Sequence, residues 1–380
     1  MNFQLTDEQE AVKRMVREFA EAEVKPIAAE IDLEHRFPEE TVEKMGKYGL
    51  LSVPFPDYLG GAGGNFLSYA ITVEEISRVC AATASICVAH TSLCCWPICT
   101  YGSEEQKQTY LPGLFSGDKL GAFAVTESNA GTDLAAQMTK AEDKGDHWLL
   151  NGTKLFITNG GYADVFVVMA VTDKSKGSKG ISAFIVEKTD EGFSVGKTED
   201  SMGICASSTT EIIFQDCKIP KDRILGELGD GMKMTMNISD RGRVGTASQA
   251  LGIAQGAFDA TVKYMKSRKQ FGKKISQFQA LQFEIADMAT RIEAARLLVY
   301  KAADLMDRGL NARKNCAMAK LYAAETAMYV TTRAIQLHGG YGYTKDYPVE
   351  RMMRDAKVTE ICEGTSEIQK MVISTAIIGK

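Results

Sequence analysis

The chain has 380 residues, 44 of them Lys or Arg and 49 Asp or Glu, for a formal charge of −5. That mild acidity speaks against a nucleic-acid binder, which carries a basic face. Its 45% hydrophobic and 24% charged residues exclude wholesale disorder.

At roughly 100–200 residues per domain, the length suggests two or three domains. No run of about 18 apolar residues occurs, so no membrane span is expected. The opening MNFQLTDEQEAVKRM resembles neither a signal peptide nor a transit peptide, so a cytoplasmic location is expected.

Residues 1–120 read as a helical domain. Thr6 and Gln9 form a capping box ahead of an amphipathic stretch, Glu10 to Glu23. Phe37-Pro38-Glu39-Glu40 opens another helix, with Pro38 in its first turn. The glycine loop Tyr58 to Gly64 lacks GxGxxG spacing and a preceding strand, so it is not expected to cradle phosphate.

Residues 121–228 change period and read as a β domain. Asn151-Gly152 between two apolar runs predicts a hairpin turn. Val165–Val171, Ile181–Val186 and Thr210–Gln215 follow as strands, and Pro220 closes the series. Short strands parted by turns predict an antiparallel barrel or sandwich.

Residues 229–380 return to helices. Leu281, Ile285, Met288, Ile292, Ala295 and Val299 recur in steps of four and three, and Gly309 ends that helix. A second long helix runs from about Asn315 to Leu337, until Gly339-Gly340-Tyr341-Gly342 breaks it. The expected fold class is thus α+β: an N-terminal α-helical domain, a middle β domain and a C-terminal four-helix bundle. The broad apolar face of such helices suits a subunit interface.

Nine cysteines in mostly apolar surroundings read as reduced, buried thiols. Only four histidines exist, and the Cys95–Cys99 spacing does not suit zinc, so no metal site is expected. HExxH, GxSxG, Walker A and Rossmann motifs are absent too. An enzyme built from this chain needs a carboxylate, a thiolate or a bound organic cofactor. Glu363, where Glu-Gly-Thr-Ser parts two helices, is the sharpest candidate for a general base; a solvated helix-end glutamate is the plainer alternative. The small polar loop after Phe123, through Thr126 to Asp133, can approach a flat ring closely or form a plain turn.

Five ordered segments resemble the acyl-CoA dehydrogenase family across essentially the whole chain: Phe123–Asp133, Lys154–Gly161, Arg268–Gly272 with Gln279, Gln336–Gly342, and Glu363–Glu367. The likeness is greatest to the short-chain, butyryl-CoA branch. It implies FAD, a homotetramer, an acyl-CoA substrate and an electron-transferring flavoprotein as partner. Thr126 and Thr158 would hydrogen-bond the isoalloxazine, with Phe123, Val125 and Phe156 packed near it. Arg268, Phe271, Gln279, Gln336, Leu337, Gly339 and Gly340 would reach the ADP half of a neighbouring subunit's flavin. Thr365 and Glu367 would complete the cofactor contacts. Thr132 would touch cofactor and substrate, and Asp240, Arg243 and Gly364 would contact the acyl-CoA.

The resemblance makes Glu363 the base that removes the α-proton while the β-hydride goes to flavin N5. The base position of other branches falls on Gly242, which has no side chain to serve. Departures from the butyryl pattern at Ser128, Phe156, Ser239, Arg241 and Cys362 bear on the acyl group more than on the reaction. A branched, alicyclic, longer or dicarboxylic acyl-CoA stays open beside a straight short chain. So do an acyl-CoA oxidase and a catalytically retired flavin-binding scaffold, which an intact Glu363 disfavours.

Overall fold

The chain starts as its capping signal predicts. In the computed structural model, which describes residues 4–379, the Gln9 N–H donates to Thr6 Oγ1 at 3.2 Å, and the Thr6 N–H donates to Gln9 Oε1 at 2.9 Å. Helix α1 (Asp7–Phe19) continues through a π-helical turn, Ala20–Val24. It is followed by α2 (Ala28–Leu33), α3 (Glu39–Lys47), α4 (Phe66–Ser77), α5 (Ala81–Val88), α6 (Trp96–Tyr101) and α7 (Glu104–Ser116).

A π-helical segment, Ala89–Cys95, joins α5 to α6. The resulting 21-residue stretch is long and apolar enough to cross a membrane by composition. It is a core element instead, 83% of its apolar window being buried inside the protein. Burying each large aliphatic side chain there contributes about 1.5–3 kcal/mol.

The middle of the chain forms β1 (Gly121–Ala124), β2 (Lys140–Asp143), β3 (His147–Ile157), β4 (Val165–Val171), β5 (Ile181–Glu187), β6 (Phe193–Thr198), β7 (Thr210–Pro220) and β8 (Ile224–Leu225). They make one sheet in the order β6-β7-β3-β2-β4-β5-β8, with β1 also paired to β4. The expected antiparallel barrel or sandwich is corrected in two respects, the direction of two strands and the closure of the barrel. Strands β1 and β2 both run parallel to β4, because the chain crosses over through β2 and β3 before β4 is laid down. The outer strands β6 and β8 do not pair, so the sheet stays open.

The sheet folds into two layers around Trp148, Leu150, Phe166, Phe184, Ile212 and Phe214. Trp148 and Phe184 meet edge to face at 5.3 Å across that core. Val165, Val167 and Met169 point the other way, onto Leu93, Ile98 and Leu111 of the helices. Burial on both faces explains why β4 is an unbroken apolar run and β5 is apolar but for Ser182 and the terminal Glu187.

The predicted Asn151-Gly152 turn is also corrected. β3 runs straight through it, and the turn lies earlier, closed by the Lys144 N–H donating to His147 O. Asn151 is held by a distant partner instead: its Nδ2 donates to Asp216 Oδ1 at 3.1 Å, and the Asp216 N–H donates back at 2.9 Å. This exchange sits at a bulge where the register against β7 shifts between Leu150 and Gly152.

Beyond the sheet come α8 (Gly231–Ser267), the β9 (Lys269–Gln270) and β10 (Lys273–Lys274) hairpin, α9 (Gln279–Asp307), α10 (Arg313–His338), α11 (Val349–Val358) and α12 (Ser366–Ile378). On α9, Met288, Ile292, Ala295 and Val299 are buried as the spacing predicts, with Leu281 and Ile285 at the margin. Helices α8, α9 and α10 pack on one another, α12 lies on α10, and α4 packs against α8 and α9.

The α4–α8 contact is backbone to backbone. A Cβ at Gly252 would overlap Glu74 O, and one at Gly256 would overlap Arg78 O. This close approach sets the height of α8 beside the N-terminal helices. Gly256→Ala should lower stability by about 1–3 kcal/mol through overpacking. A thermal midpoint equal to that of the parent protein would contradict the contact.

Candidate active site

Glu363 lies in the turn between α11 and α12, and its backbone is unusual. Both Glu363 (φ +52°) and Gly364 (φ +86°) are left-handed. For a residue other than glycine that conformation costs about 1–3 kcal/mol. Three hydrogen bonds hold it. Lys320 Nζ donates to Gly364 O at 2.7 Å, and Gln369 Nε2 donates to Glu363 O at 3.0 Å and to Gly364 O at 2.8 Å. A bond from a charged donor contributes about 1.5–3 kcal/mol and a neutral one about 0.5–1.5 kcal/mol, so the clamp outweighs the strain. Thr365 then caps α12, its Oγ1 accepting the Ile368 N–H.

The Glu363 side chain reaches α8. A Cβ at Gly242 would overlap the Glu363 carboxylate, lying 2.8 Å from its Cδ and 2.9 Å from Leu93 Cδ2. Only glycine leaves room there for both groups. Burial raises the Glu363 pKa above the usual carboxylate range, against the opposing pull of Arg243 and Lys320. Within the described residues no hydrogen bond engages the Glu363 N–H.

Asp240 and Arg243 come together one turn around. Arg243 is buried and donates through Nη1 to Asp240 Oδ1 at 2.5 Å, while Arg313 Nε donates to Asp240 Oδ2 at 3.1 Å. A cavity of about 460 Å³ opens beside them, lined by Asp240, Arg241 and Arg313. The Arg241 guanidinium stacks on Trp96 at 3.4 Å.

A second group sits at the strand ends. Phe123 lies on β1 and Val125 just beyond it, both half-buried against the helical core. The Leu155 N–H of β3 donates to Thr126 O at 2.8 Å, bringing Phe156 and Thr158 beside that loop. Phe156 is left-handed (φ +57°) and 61% exposed, a flat apolar face uncovered in the isolated chain. Thr132 is exposed on the loop.

The loop is anchored from below by a buried ion pair. Lys154 Nζ donates to Glu127 Oε1 and to Gln137 Oε1, both at 2.8 Å. Burial pulls the Lys154 ammonium down to about 8, against the upward pull of Glu127.

A third group lies at the other end of α8. Arg268, Phe271, Gln336, Leu337, Gly339 and Gly340 line one apolar pocket of about 830 Å³. Gln279 sits at the start of α9 between two lining residues, Phe278 and Ala280, and is itself not in the lining. The Arg268 guanidinium lies 5.6 Å from the Tyr341 ring and, among the described residues, has no carboxylate partner. Phe271 is 93% exposed. A free guanidinium beside uncovered aromatic faces fits a ligand with a pyrophosphate and flat rings. Gly242 and Arg268 are 26 residues apart on one helix, which is about 39 Å at 1.5 Å per residue. Glu367 is exposed in the first turn of α12.

Lys320, Gln369 and the Glu127–Lys154 pair escape sequence reasoning. The one visible signal was a lysine on the otherwise small, apolar face of α10, beside Cys316, Ala323 and Ala324.

Residues 6–118, 122–217 and 229–378 match, in turn, the N-terminal, middle and C-terminal domains of acyl-CoA dehydrogenase. A short-chain specific acyl-CoA dehydrogenase of Clostridium acetobutylicum is 59% identical over 99% of this chain and 100% of that protein. The solved butyryl-CoA dehydrogenase of Megasphaera elsdenii superposes with a TM-score of 0.98 at 46% identity, covering 100% of both chains. A chain in the structure describing the electron transferring flavoprotein of Acidaminococcus fermentans and flavin-based electron bifurcation gives a TM-score of 0.99 at 52% identity, again covering 100% of both. The chain belongs to the acyl-CoA dehydrogenase family. It is an oxidoreductase and a flavoprotein, and its cofactor is FAD.

Lys154→Ala would leave Glu127 buried without its cation, an arrangement that costs about 3–5 kcal/mol. The variant should show a lower thermal midpoint and less retained FAD. Unchanged values of both would contradict the anchoring role.

Proposed function

We propose that the protein dehydrogenates a short-chain acyl-CoA to the trans-2-enoyl-CoA and passes the electrons to an electron-transferring flavoprotein. The observation that carries this reading is the Glu363 carboxylate, held in a buried gap over Gly242 by a clamped left-handed turn. Burial makes it a stronger base for an α-proton than a solvated glutamate is. The free Glu363 N–H offers a donor to the thioester oxygen, where charge develops as the proton leaves.

Asp240, Arg243 and Gly364 hold the acyl-CoA on this reading, with Arg243 fixing a cation near its anionic part. Bound FAD would supply the acceptor for the hydride that leaves the β-carbon. Phe123, Val125, Thr126, Thr132, Phe156 and Thr158 pack and orient the flavin ring, and Thr365 and Glu367 complete that side. Arg268, Phe271, Gln279, Gln336, Leu337, Gly339 and Gly340 then serve the adenosine end of a neighbouring copy's FAD. The separation of about 39 Å along α8 supports a homotetramer in which each site draws on two chains. The three domains span 1–120, 121–228 and 229–380. The partner and the short acyl chain are supported by the likeness to the Acidaminococcus and Megasphaera proteins.

Anaerobic addition of butyryl-CoA should bleach the bound flavin. Absence of bleaching with butyryl-CoA and with branched, alicyclic and dicarboxylic esters would contradict the reaction. Glu363→Gln should slow bleaching by roughly 10²–10⁴-fold, the range for loss of a general base.

Gly242→Ala should slow it by roughly 10²-fold by displacing the carboxylate, while FAD stays bound. A rate equal to the parent's would remove the Gly242–Glu363 contact from the account. Bleaching should also slow as pH falls through the raised pKa of Glu363, since only the carboxylate accepts the proton. A rate that is flat from neutral pH down to the ordinary glutamate pKa of about 4.3 would contradict a raised value.

A further inference from the structure

Lys320 has no exposed surface, and among the described residues it forms no ion pair. Its partner is the neutral carbonyl of Gly364. Burying an ammonium without a paired carboxylate costs several kcal/mol. A staple between α10 and the turn needs only a neutral donor, such as the amide that Gln369 already gives to the same oxygen. A charge is therefore unexplained by the hydrogen bond alone. Its cation also pulls the Glu363 carboxyl, carried on the same turn, down against the upward push of burial.

We infer that Lys320 is a positioning residue for the reaction: through Gly364 O it fixes the turn that aims Glu363 at Gly242, and it sets a buried cation against that turn. This rests on the assignment of Glu363 as the base. The other charged or titratable groups around the two are Arg243 and Asp240 of α8, Tyr69 of α4, Glu360 and Cys362 of the turn, and Glu367 of α12. Arg243 gives the stronger pull on Glu363 but is also paired with Asp240, whereas Lys320 adds its pull with no carboxylate partner of its own among the described residues. Removing a nearby cation raises a carboxyl pKa, which widens the acid range in which the base is protonated.

The test is anaerobic reduction of the FAD-loaded protein by butyryl-CoA, followed across pH for the parent, Lys320→Met, Lys320→Arg, Gln369→Leu and Glu363→Gln. Lys320→Met should slow reduction and move the acid limb of the profile up by about one pH unit. Lys320→Arg should return the limb toward the parent position. Gln369→Leu removes two carbonyl contacts and no charge, so it should slow reduction and leave the limb in place.

An unmoved limb in Lys320→Met overturns the inference. If Lys320→Met does not fold with FAD, Lys320→Gln keeps a neutral donor, and the same shift or its absence decides. Glu363→Gln separates the two levels. Parent-like reduction by that variant would overturn the base assignment itself, whereas its loss of reduction beside an unmoved limb in the neutral Lys320 variants would overturn only the role of Lys320.

Discussion

Two carbonyl oxygens, those of Glu363 and Gly364, decide whether this site can work. The turn that carries them is left-handed at a residue other than glycine, so it exists only because other groups grip it. Lys320 comes from α10 and Gln369 from α12, which ties the turn to the C-terminal helices on both sides. With the turn fixed, the carboxylate has one place to go, the gap that Gly242 leaves open on α8. Strain and the placing of the carboxylate are thus the same feature seen from two sides.

The rest of the fold serves that gap. Close approach of α4 and α8 at Gly252 and Gly256 fixes α8 against the N-terminal helices, and Leu93 from the α5–α6 stretch closes the far wall. The folded sheet presents the ends of β1 and β3 as a platform with an exposed Phe156. Its loop is stiffened from beneath by Lys154 and Glu127, whose desolvation is offset by Gln137 and the Met138 and Thr139 N–H groups. Each part is rigid for a stated reason, which is what the proposed role of Glu363 as a base requires.

Much of the architecture was legible in the sequence, and the failures have physical causes. The α9 face followed from a period that any amphipathic helix shows, and the Thr6 box from purely local bonds. The Asn151-Gly152 hairpin failed because Asn151 bonds Asp216 from another strand, a partner local spacing cannot reveal. Of the barrel or sandwich, the middle β domain held while closure and a wholly antiparallel order did not, because strand alternation says nothing about direction or closure. Glu363 could be singled out as an acid at a helix break, but its burial depends on Gly242 and Leu93, both more than a hundred residues away. The family resemblance supplied what periodicity could not, and for Lys320 the pattern offered only a lysine out of place on an apolar face, with no role attached.

The central claim is that Glu363 stands over the α-carbon of the bound thioester. A crystal structure of Glu363→Gln with FAD and butyryl-CoA tests it directly. The account predicts the residue 363 side-chain oxygen or nitrogen at about 3–3.5 Å from the substrate α-carbon, a reactive approach distance, with the thioester oxygen at the residue 363 N–H. An α-carbon out of reach of residue 363, or facing a different carboxylate, would contradict it.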